Sequence, residues 1–267
     1  MPELNILSEM ENHAKNYLNN WHDEDYVYGK YALSNDFIRL PKDIDTQPLK
    51  VLGLILSKID FKKDNIDLNG NVIVSCTLAE VMNACGQNNS EYKNYEYYKN
   101  VIEKLIKSSY VKGEIDGKDV MGYAVPWVSA DKSATQITFQ FKIFNDFLPY
   151  FQMLSRNYTI IELEQAKRFK SRFSYTLYMN LLSWVNNDDL NESYRFYTTK
   201  QLKEMFGLSK EDYCKKDGKF NRTEFEKKTI EVAIKEINQN TRMKVEYKKN
   251  KIKNRVANYQ FNFIEVL

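Results

Sequence analysis

Glycine, proline and cysteine are scarce in this chain of 267 residues, which has 9 Gly, 5 Pro and 3 Cys. Neither G-x-G-x-x-G nor G-x-x-x-x-G-K-S/T occurs, so the common glycine-rich loops that cradle nucleotide phosphates are excluded. The three cysteines, Cys76, Cys85 and Cys214, are widely spaced and form no C-x-x-C pair. This pattern argues against a disulfide framework or a zinc site and indicates a reducing compartment.

The sequence also lacks a long apolar run. No segment approaches the roughly 18 uninterrupted apolar residues of a membrane-spanning helix, and the N-terminus has no basic stretch followed by an apolar one. We therefore expect a cytoplasmic protein that has no membrane partner. The residues that are present, 43% hydrophobic and 28% charged, are typical of a folded chain, and the length suits about two domains.

The net charge of +3 conceals a difference between the two halves. Residues 1–155 carry 16 Lys and Arg against 21 Asp and Glu, a net of −5, whereas residues 156–267 carry 23 against 15, a net of +8. This asymmetry favours a polyanionic partner for the C-terminal half, although scattered surface lysines would give the same sum. The placement of the charges decides between the two.

A unit of about 120 residues occurs twice. Thr77–Glu80 and Thr198–Gln201 are capping boxes, in which the Thr hydroxyl and the Glu or Gln side chain satisfy free amides at a helix start. Each predicts a short helix that ends at a glycine, Gly86 or Gly207. A longer helix and two strands then follow in each copy. In the first copy the longer helix is predicted at 91–109 and the last strand at 137–141. In the second copy the longer helix is predicted at 221–238 and the last strand at 259–263.

A short helix, a turn, a longer helix and a β-hairpin make a winged helix, which is a helix-turn-helix variant. We therefore predict an α+β fold with tandem winged-helix domains related by internal duplication. The predicted domains are an amphipathic N-terminal leader (1–28), winged-helix domain 1 (29–152) and winged-helix domain 2 (155–267). Such a domain can bind DNA with its second helix in the major groove, or can serve only as a packing or dimerisation module.

Basic residues are concentrated where the second copy would meet DNA. The turn before its longer helix and the first turns of that helix carry Lys215, Lys216, Lys219, Asn221, Arg222, Thr223, Lys227 and Lys228. The loop predicted for the second hairpin, residues 248–255, has five basic residues and no acid: Lys248, Lys249, Lys251, Lys253 and Arg255. A solvated hairpin loop would explain the second group alone, but together the two groups favour a site for double-stranded DNA.

The first copy lacks this pattern, since the loop predicted for its hairpin, Gly113–Asp119, is acidic. Acids beside phosphate are unfavourable, so we expect domain 1 to act mainly in self-association. Weaker DNA contacts there would come from Lys93, Asn94, Tyr97 and Lys104. The amphipathic leader helix, residues 4–21, would pack on its own domain or on a twin subunit, or would contact a helicase or its loader.

Five segments of the second half carry a resemblance to a known family: Lys170–Tyr178, Leu181–Trp184, Leu202–Leu208, Ile230–Asn238 and Val245–Tyr247. Through them, from about Glu162 to Phe263, the chain resembles the C-terminal domain of theta-type plasmid replication initiators, the iteron-binding Rep proteins with two winged helices. Residues 31–150 resemble the first winged helix of the family more loosely. The resemblance adds Lys170 and Arg172 to the expected DNA site, although two cations at a helix start could simply be solvated.

The resemblance implies a protein that binds directly repeated sites, iterons, at a plasmid origin, promotes opening of the adjacent DNA and recruits the host replicative helicase. The implied partners are the origin DNA, the helicase or its loader, a host initiator, and a second copy of the chain in a homodimer that is in equilibrium with monomer. The resemblance also implies that the protein represses its own promoter.

Two other functions remain open at this point. A winged-helix transcriptional repressor with no role at an origin would use the same surface, and only the resemblance separates it from an initiator. A nicking initiator of the rolling-circle class needs a tyrosine nucleophile and a metal held by two histidines that flank one apolar residue. The only histidines, His13 and His22, are nine positions apart, so we expect no enzymatic activity, no metal and no cofactor.

Overall fold

The computed structural model describes most of the chain between residues 29 and 265. The described residues are 29–40, 43–59, 65–87, 95–115, 118–133, 136–148, 158–185 and 193–265. The predicted leader, residues 1–28, lies outside them, as do Lys93 and Asn94. Within the described ranges, no helix is both long and apolar enough to cross a membrane.

The first half begins with a strand and two helices, continues with the helices of the first repeat and ends in two hairpins. Its elements are β1 (Lys30–Ser34), α1 (Asn35–Arg39), α2 (Thr46–Ser57), β2 (Asn65–Ile66), β3 (Val72–Thr77), α3 (Leu78–Ala84), α4 (Tyr95–Ser108), β4 (Tyr110–Ile115), β5 (Lys118–Tyr123), β6 (Trp127–Lys132) and β7 (Ile137–Ile143).

The second half begins with a strand and two helices and then repeats the helix, turn, helix and hairpin order. Its elements are β8 (Tyr158–Glu162), α5 (Leu163–Ala166), α6 (Arg172–Leu182), β9 (Ser193–Tyr197), α7 (Thr199–Met205), α8 (Arg222–Phe225), a π-helical turn (Glu226–Ile230), α9 (Glu231–Asn240), β10 (Met243–Ile252) and β11 (Arg255–Glu265). Because α8, the π turn and α9 are continuous, residues 222–240 form one helix, termed the long helix. It confirms the helix predicted at 221–238.

Both predicted capping boxes are present and explain where α3 and α7 begin. Thr77 Oγ1 accepts a hydrogen bond from Glu80 N at 3.1 Å, and Glu80 Oε2 accepts one from Thr77 N at 2.7 Å. Thr198 and Gln201 make the same pair of bonds at 3.3 and 2.8 Å. The backbone turns left-handed at the two glycines predicted to end these helices, Gly86 (φ 82°) and Gly207 (φ 62°).

Each half has its own antiparallel sheet, and three strands of one sheet correspond to three strands of the other. The strand order is β2-β3-β7-β6 in the first half and β10-β11-β9 in the second. Thus β3, β7 and β6 correspond to β9, β11 and β10, and in both halves the strand before the capping box pairs with the last strand. This correspondence agrees with the predicted tandem winged-helix fold.

The first half departs from the prediction in its hairpins. The sequence pattern predicts two strands after α4, but the structure has four, and β4 and β5 form a separate two-stranded sheet. The hairpin that corresponds to β10–β11 is therefore β6–β7. The described residues of the acidic segment, 113–115 and 118–119, belong to the additional hairpin. The sequence pattern assigns them to the hairpin of the first winged helix because alternation along the chain cannot show which of two hairpins joins a sheet.

A single connected core runs through the described parts of both halves. The inward faces of β7 and β11 carry the aromatic side chains expected from their alternation, each no more than 2% exposed: Phe139, Phe141, Tyr259, Phe261 and Phe263. Each such side chain contributes about 1.5–3 kcal/mol when it leaves water. The aromatic faces of these strands therefore hold the sheets against the helices.

The two halves are joined by backbone pairing and by buried side chains. β1 pairs antiparallel with β8, which lies on the other side of the domain boundary predicted between residues 152 and 155. The boundary itself stays a prediction. Tyr31 and Tyr175 lie with their hydroxyl oxygens 2.5 Å apart, and burial raises the pKa of both. The Arg39 guanidinium lies 3.3 Å from the centroid of the Trp184 ring and donates to the Ser183 carbonyl at 2.7 Å. We term this region the joint.

Candidate nucleic-acid interface

A buried lysine fixes the turn between α7 and the long helix. Lys203 is 9% exposed, and its Nζ donates to the carbonyls of Lys210 and Asp212 at 2.8 and 2.6 Å. The same ammonium lies 4.7 Å from the centroid of the Phe220 ring. A buried cation needs such partners, so this set holds the backbone of the turn in place. Sequence reasoning missed Lys203 because a lysine beside a polar turn looks solvated.

Within this turn, a small loop presents three of the predicted lysines. Cys214 and Phe220 form an isolated β-bridge, and Lys215 N donates to the Lys219 carbonyl at 2.8 Å. Gly218, with φ 77°, supplies the left-handed conformation that closes the loop. The side chains of Lys215, Lys216 and Lys219 are all exposed. Their ammonium groups therefore lie at the surface in the segment that leads into the long helix.

Asn221 caps the start of the long helix. Its Oδ1 accepts from Glu224 N at 3.3 Å, and its own backbone N donates to the Tyr213 carbonyl at 2.7 Å. Lys227 and Lys228 follow in the next turn, and both are exposed, as is Thr223. Lys228 Nζ lies 2.6 Å from Glu224 Oε1, and this bond raises the pKa of Lys228 and lowers that of Glu224.

Arg222 differs from its neighbours because its guanidinium is bonded within the protein. Nη1 donates to Tyr259 Oη at 3.0 Å and to Thr199 Oγ1 at 3.4 Å. The guanidinium carbon lies 5.6 Å from the centroid of the Phe220 ring. These contacts join the start of the long helix to α7 and β11. A contact of Arg222 with DNA would have to use the other N–H groups of its guanidinium.

A buried carboxylate joins the long helix to the β10–β11 hairpin, which we term the wing. Glu226 lies in the π turn and is 5% exposed. Its Oε1 accepts from Tyr259 Oη and its Oε2 from Lys249 Nζ, both at 2.8 Å. Burial, together with the hydrogen bond to Glu226, raises the pKa of Tyr259 to about 12. No sequence signal marks this π turn, although such turns are frequent at functional sites.

The wing has longer strands and a shorter loop than its composition predicts. The segment 248–255, predicted as a loop, is strand except for Lys253 and Asn254. Both have positive φ, 47° and 64°, as expected of a two-residue type I′ turn. A run of lysines resembles a loop, yet long polar side chains also suit strands that project into solvent. The five basic residues predicted in this part of the wing are all exposed: Lys248, Lys249, Lys251, Lys253 and Arg255.

Lys170 and Arg172 lie at the joint. Lys170 has an exposed side chain, and its backbone N donates to Glu236 Oε2 at 3.1 Å. Arg172 Nη1 lies 2.7 Å from Asp43 Oδ1 and 3.9 Å from Asp45 Oδ1. Both acids belong to the first half. The Arg172 guanidinium therefore already has anionic partners within the protein.

Of the four residues predicted to make weaker DNA contacts in the first half, the structure describes two, Tyr97 and Lys104. Tyr97 is 49% exposed and packs edge-on against the Tyr98 ring at 5.0 Å. Lys104 Nζ lies 3.7 Å from Asp45 Oδ2. Because Asp45 also neighbours Arg172, this acid links α4 to the start of α6. Lys93 and Asn94 lie outside the described residues.

The described residues offer no metal site, since no group of three His, Cys, Asp or Glu among them could hold an ion. His13 and His22 lie outside the described ranges. Cys76 and Cys85 are buried as free thiols, and burial raises the pKa of each to about 12. These two thiols are therefore protonated and unreactive at neutral pH.

Two protein-family models match the chain. The model described as Initiator Replication protein, WH1 matches residues 30–182, and the model described as Initiator Rep protein, WH2 matches residues 198–263. No curated protein matches. Among solved structures, the Pi initiator protein in complex with iteron DNA has a TM-score of 0.67 and 16% identity, over 90% of this chain and 98% of that chain. Domains 2 and 3 of RctB give a TM-score of 0.45 and 10% identity, over 83% of each chain.

Proposed function

The chain belongs to the initiator Rep proteins, the family of theta-type plasmid replication initiators, and on this basis we propose that it binds repeated sites, iterons, in plasmid origin DNA. The second winged helix supplies the main contact in this proposal. The solved Pi initiator has the same fold and is bound to iteron DNA, which supports the choice of ligand.

The arrangement of exposed cations around the long helix carries the proposal. The lysine-bearing loop at 214–220 precedes this helix, Lys227 and Lys228 lie in its first turns, and the wing is bonded to it through Glu226. The free amides and the positive dipole end of a helix start add to the attraction of a phosphate. The long helix would enter the major groove while the wing follows the phosphate backbone.

The proposed contacts divide into two kinds. Phosphate contacts are assigned to the exposed cations Lys170, Lys215, Lys216, Lys219, Lys227, Lys228, Lys248, Lys251, Lys253 and Arg255. Contacts to base edges are assigned to the residues at the start of the long helix, Asn221, Arg222 and Thr223. Four of the cations predicted in the second half already pair with acids, so they would have to exchange a carboxylate for a phosphate on binding: Arg172, Lys219, Lys228 and Lys249.

The first half has a different role in this proposal. Domain 1 (29–152) has 15 Lys and Arg against 15 Asp and Glu and so no net charge, whereas domain 2 (155–267) has a net charge of +8. Domain 1 therefore acts mainly in self-association, and domain 2 holds the DNA. The chain forms a homodimer in equilibrium with monomer, represses its own promoter and recruits a host helicase or loader, together with a host initiator. It acts in the cytoplasm by binding, without catalysis.

A footprint of the full-length protein on the DNA that flanks its own gene tests the proposal. Several evenly spaced protected repeats are the expected result for an initiator. A single protected inverted repeat would instead favour a transcriptional repressor with no role at an origin. Absence of protection at any site would refute sequence-specific binding altogether.

A further inference from the structure

A cleft of about 540 Å³ lies at the joint between the two halves. It is lined by Gln47 and Lys50 of α2, by residues 85–87 after α3, and by residues 167–170 before α6. The lining includes four basic residues, Lys50, Lys167, Arg168 and Lys170, and no Asp or Glu. A concave surface lined by charges of one sign concentrates ions of the opposite sign. We term it the joint cleft.

Lys50 is the buried cation of this cleft, with 3% of its surface exposed. Its Nζ donates to the Lys167 carbonyl at 2.7 Å, which leaves two of the three N–H groups without an acceptor among the described residues. Burial lowers the pKa of the ammonium, while the Cys85 thiol and the Glu236 carboxylate act in the opposite direction. Glu236 is itself occupied by the backbone N–H of Lys170. The cleft thus holds a buried cation with spare donors.

Gln47 adds a second polar group with spare capacity. Its Oε1 is buried and has no hydrogen-bond partner among the described residues. A 180° rotation of the Gln47 side-chain amide places its NH₂ group where Oε1 now lies, and no hydrogen bond to Oε1 is lost because Oε1 accepts none from the described residues. Gln47 can therefore offer donors to an anion in the cleft. Arg168 is exposed and lines the same cleft, so a second full positive charge can reach the anion.

From these residues we propose that the joint cleft binds a phosphate group through Lys50, Gln47 and Arg168. Because α2 belongs to the first half and residues 167–170 lead into α6, a bound phosphate would contact both sides of the joint and fix their arrangement. The phosphate comes either from the DNA backbone or from a free phosphate-bearing anion. The DNA source rests on the proposed function, whereas the free anion does not.

The test uses the full-length protein and two matched Lys→Met variants. Lys50→Met removes the buried ammonium, and Lys244→Met is the control, because Lys244 Nζ likewise donates to a carbonyl near the end of a helix, that of Asn238 at 2.8 Å, but is exposed. Pyrophosphate is titrated by calorimetry and a one-repeat duplex by fluorescence anisotropy. Lys50→Met is expected to lower the affinity for at least one ligand about tenfold, as loss of a charge-assisted hydrogen bond does. Lys244→Met is expected to leave the pyrophosphate affinity within about threefold.

The pattern of losses identifies the source of the phosphate. A loss for pyrophosphate alone indicates a free anion, and a loss for both ligands indicates one shared site. A loss for the duplex, with a log–log salt slope smaller by about one, indicates a backbone phosphate. Equal affinities of wild type and Lys50→Met for both ligands would overturn the proposal.

A second variant covers the case in which Lys50→Met does not fold, and the pyrophosphate titration separates the cleft proposal from the proposed function. If circular dichroism shows that Lys50→Met does not fold, Arg168→Gln replaces it, since this exposed side chain lines the cleft without being buried in the core. Unchanged affinities in Arg168→Gln would then overturn the proposal. Wild-type protein that binds pyrophosphate through Lys50 but binds no repeat DNA would refute the proposed function and leave the cleft site standing.

Discussion

Glu226 Oε2 and Lys249 Nζ lie 2.8 Å apart, and this ion pair fastens the wing to the long helix. Glu226 is 5% exposed and also accepts a hydrogen bond from Tyr259 of β11, so both wing strands are tied to one carboxylate. The two elements proposed to contact DNA are therefore held in a fixed relation before DNA binds. Such preorganisation lowers the entropic cost of binding.

Replacing Glu226 with Gln tests this arrangement. The amide can satisfy Tyr259 or Lys249 but places an NH₂ group against the other donor, so the free energy of unfolding should fall by about 1–3 kcal/mol. DNA affinity should fall about tenfold even though a negative charge is removed, because the wing loses its fixed orientation. Urea unfolding and duplex titration measure the two effects. Glu211→Gln, which removes an exposed carboxylate from the same half, is the control. Tighter binding by Glu226→Gln would contradict the role assigned to Glu226.

The number of phosphate contacts predicts a steep response to salt. Affinity for repeat DNA should fall with a log–log slope of magnitude above about 4, since the loop, the long helix and the wing together neutralise several phosphates. Lys251→Ala and Lys253→Ala should each reduce the slope by about one and weaken all sequences alike. Lys244→Ala, in the body of β10, should do neither. A nearly flat salt response of the wild type would argue against backbone contact.

Arg222 is predicted to contribute to both stability and sequence preference. Arg222→Ala removes the bonds to Tyr259 and Thr199, so it should lower the free energy of unfolding by about 1–2 kcal/mol. It should also relax the preference at one or two base pairs, measured by competition with mutated duplexes. Tyr259→Phe removes the hydroxyl that bonds Arg222 and Glu226 but keeps the Arg222 side chain, so it should leave the preference intact. Wild-type preference in Arg222→Ala would show that Arg222 has only a structural role.

The two glycines Gly86 and Gly218 provide a matched test of the joint. Both have positive φ, 82° and 77°, but a Cβ on Gly86 would meet the Lys167 carbonyl at 3.0 Å, whereas one on Gly218 would meet nothing within 4 Å. Each Ala substitution should cost about 1–2 kcal/mol from backbone strain. Gly86→Ala should cost more in urea unfolding, because it also separates α3 from the segment before α6. Equal losses would mean that this close approach is unimportant.

Buried tyrosines predict a loss of stability at alkaline pH. The pKa of Tyr197 and that of Tyr259 are raised from the usual 10 to about 12, chiefly by burial. Below pH 10 the folded and unfolded chains both keep these protons. Between pH 10 and 12 the unfolded chain releases protons that the folded chain retains, so the free energy of unfolding should fall as pH rises. Tyr197→Phe should reduce this dependence in urea unfolding, and the exposed Tyr194→Phe should not. The same pH dependence in all three proteins would contradict the assignment.

Features that depend on neighbours in sequence could be predicted. The Thr77 and Thr198 capping boxes, the glycines that end α3 and α7, and the alternating aromatic residues of β7 and β11 are each set within a few positions. They were enough to predict a duplicated winged helix. The additional hairpin β4–β5 was not predicted, because its separation from the main sheet depends on pairing between distant strands.

The positions of the basic residues could also be predicted, but their partners could not. Lys203 is buried under the turn, and Arg222 and Lys249 are bonded to residues 23 to 37 positions away. Arg172 pairs with Asp43, which lies 129 positions earlier. A sequence shows Arg172, Arg222 and Lys249 as free cations, because partners so distant along the chain meet only after the chain folds. Lys50 escaped notice for the same reason.

A charge-reversal comparison on the full-length protein tests the central claim, that the second winged helix holds the repeat DNA. Lys251→Glu with Lys253→Glu alters the wing, and Lys107→Glu with Lys112→Glu makes the same change in charge at exposed positions of the first half. Both variants and the wild type are titrated with a one-repeat duplex at one salt concentration. The account predicts a loss of affinity of at least about a hundredfold for the wing variant and less than about threefold for the other. A greater loss for the first-half variant would contradict it.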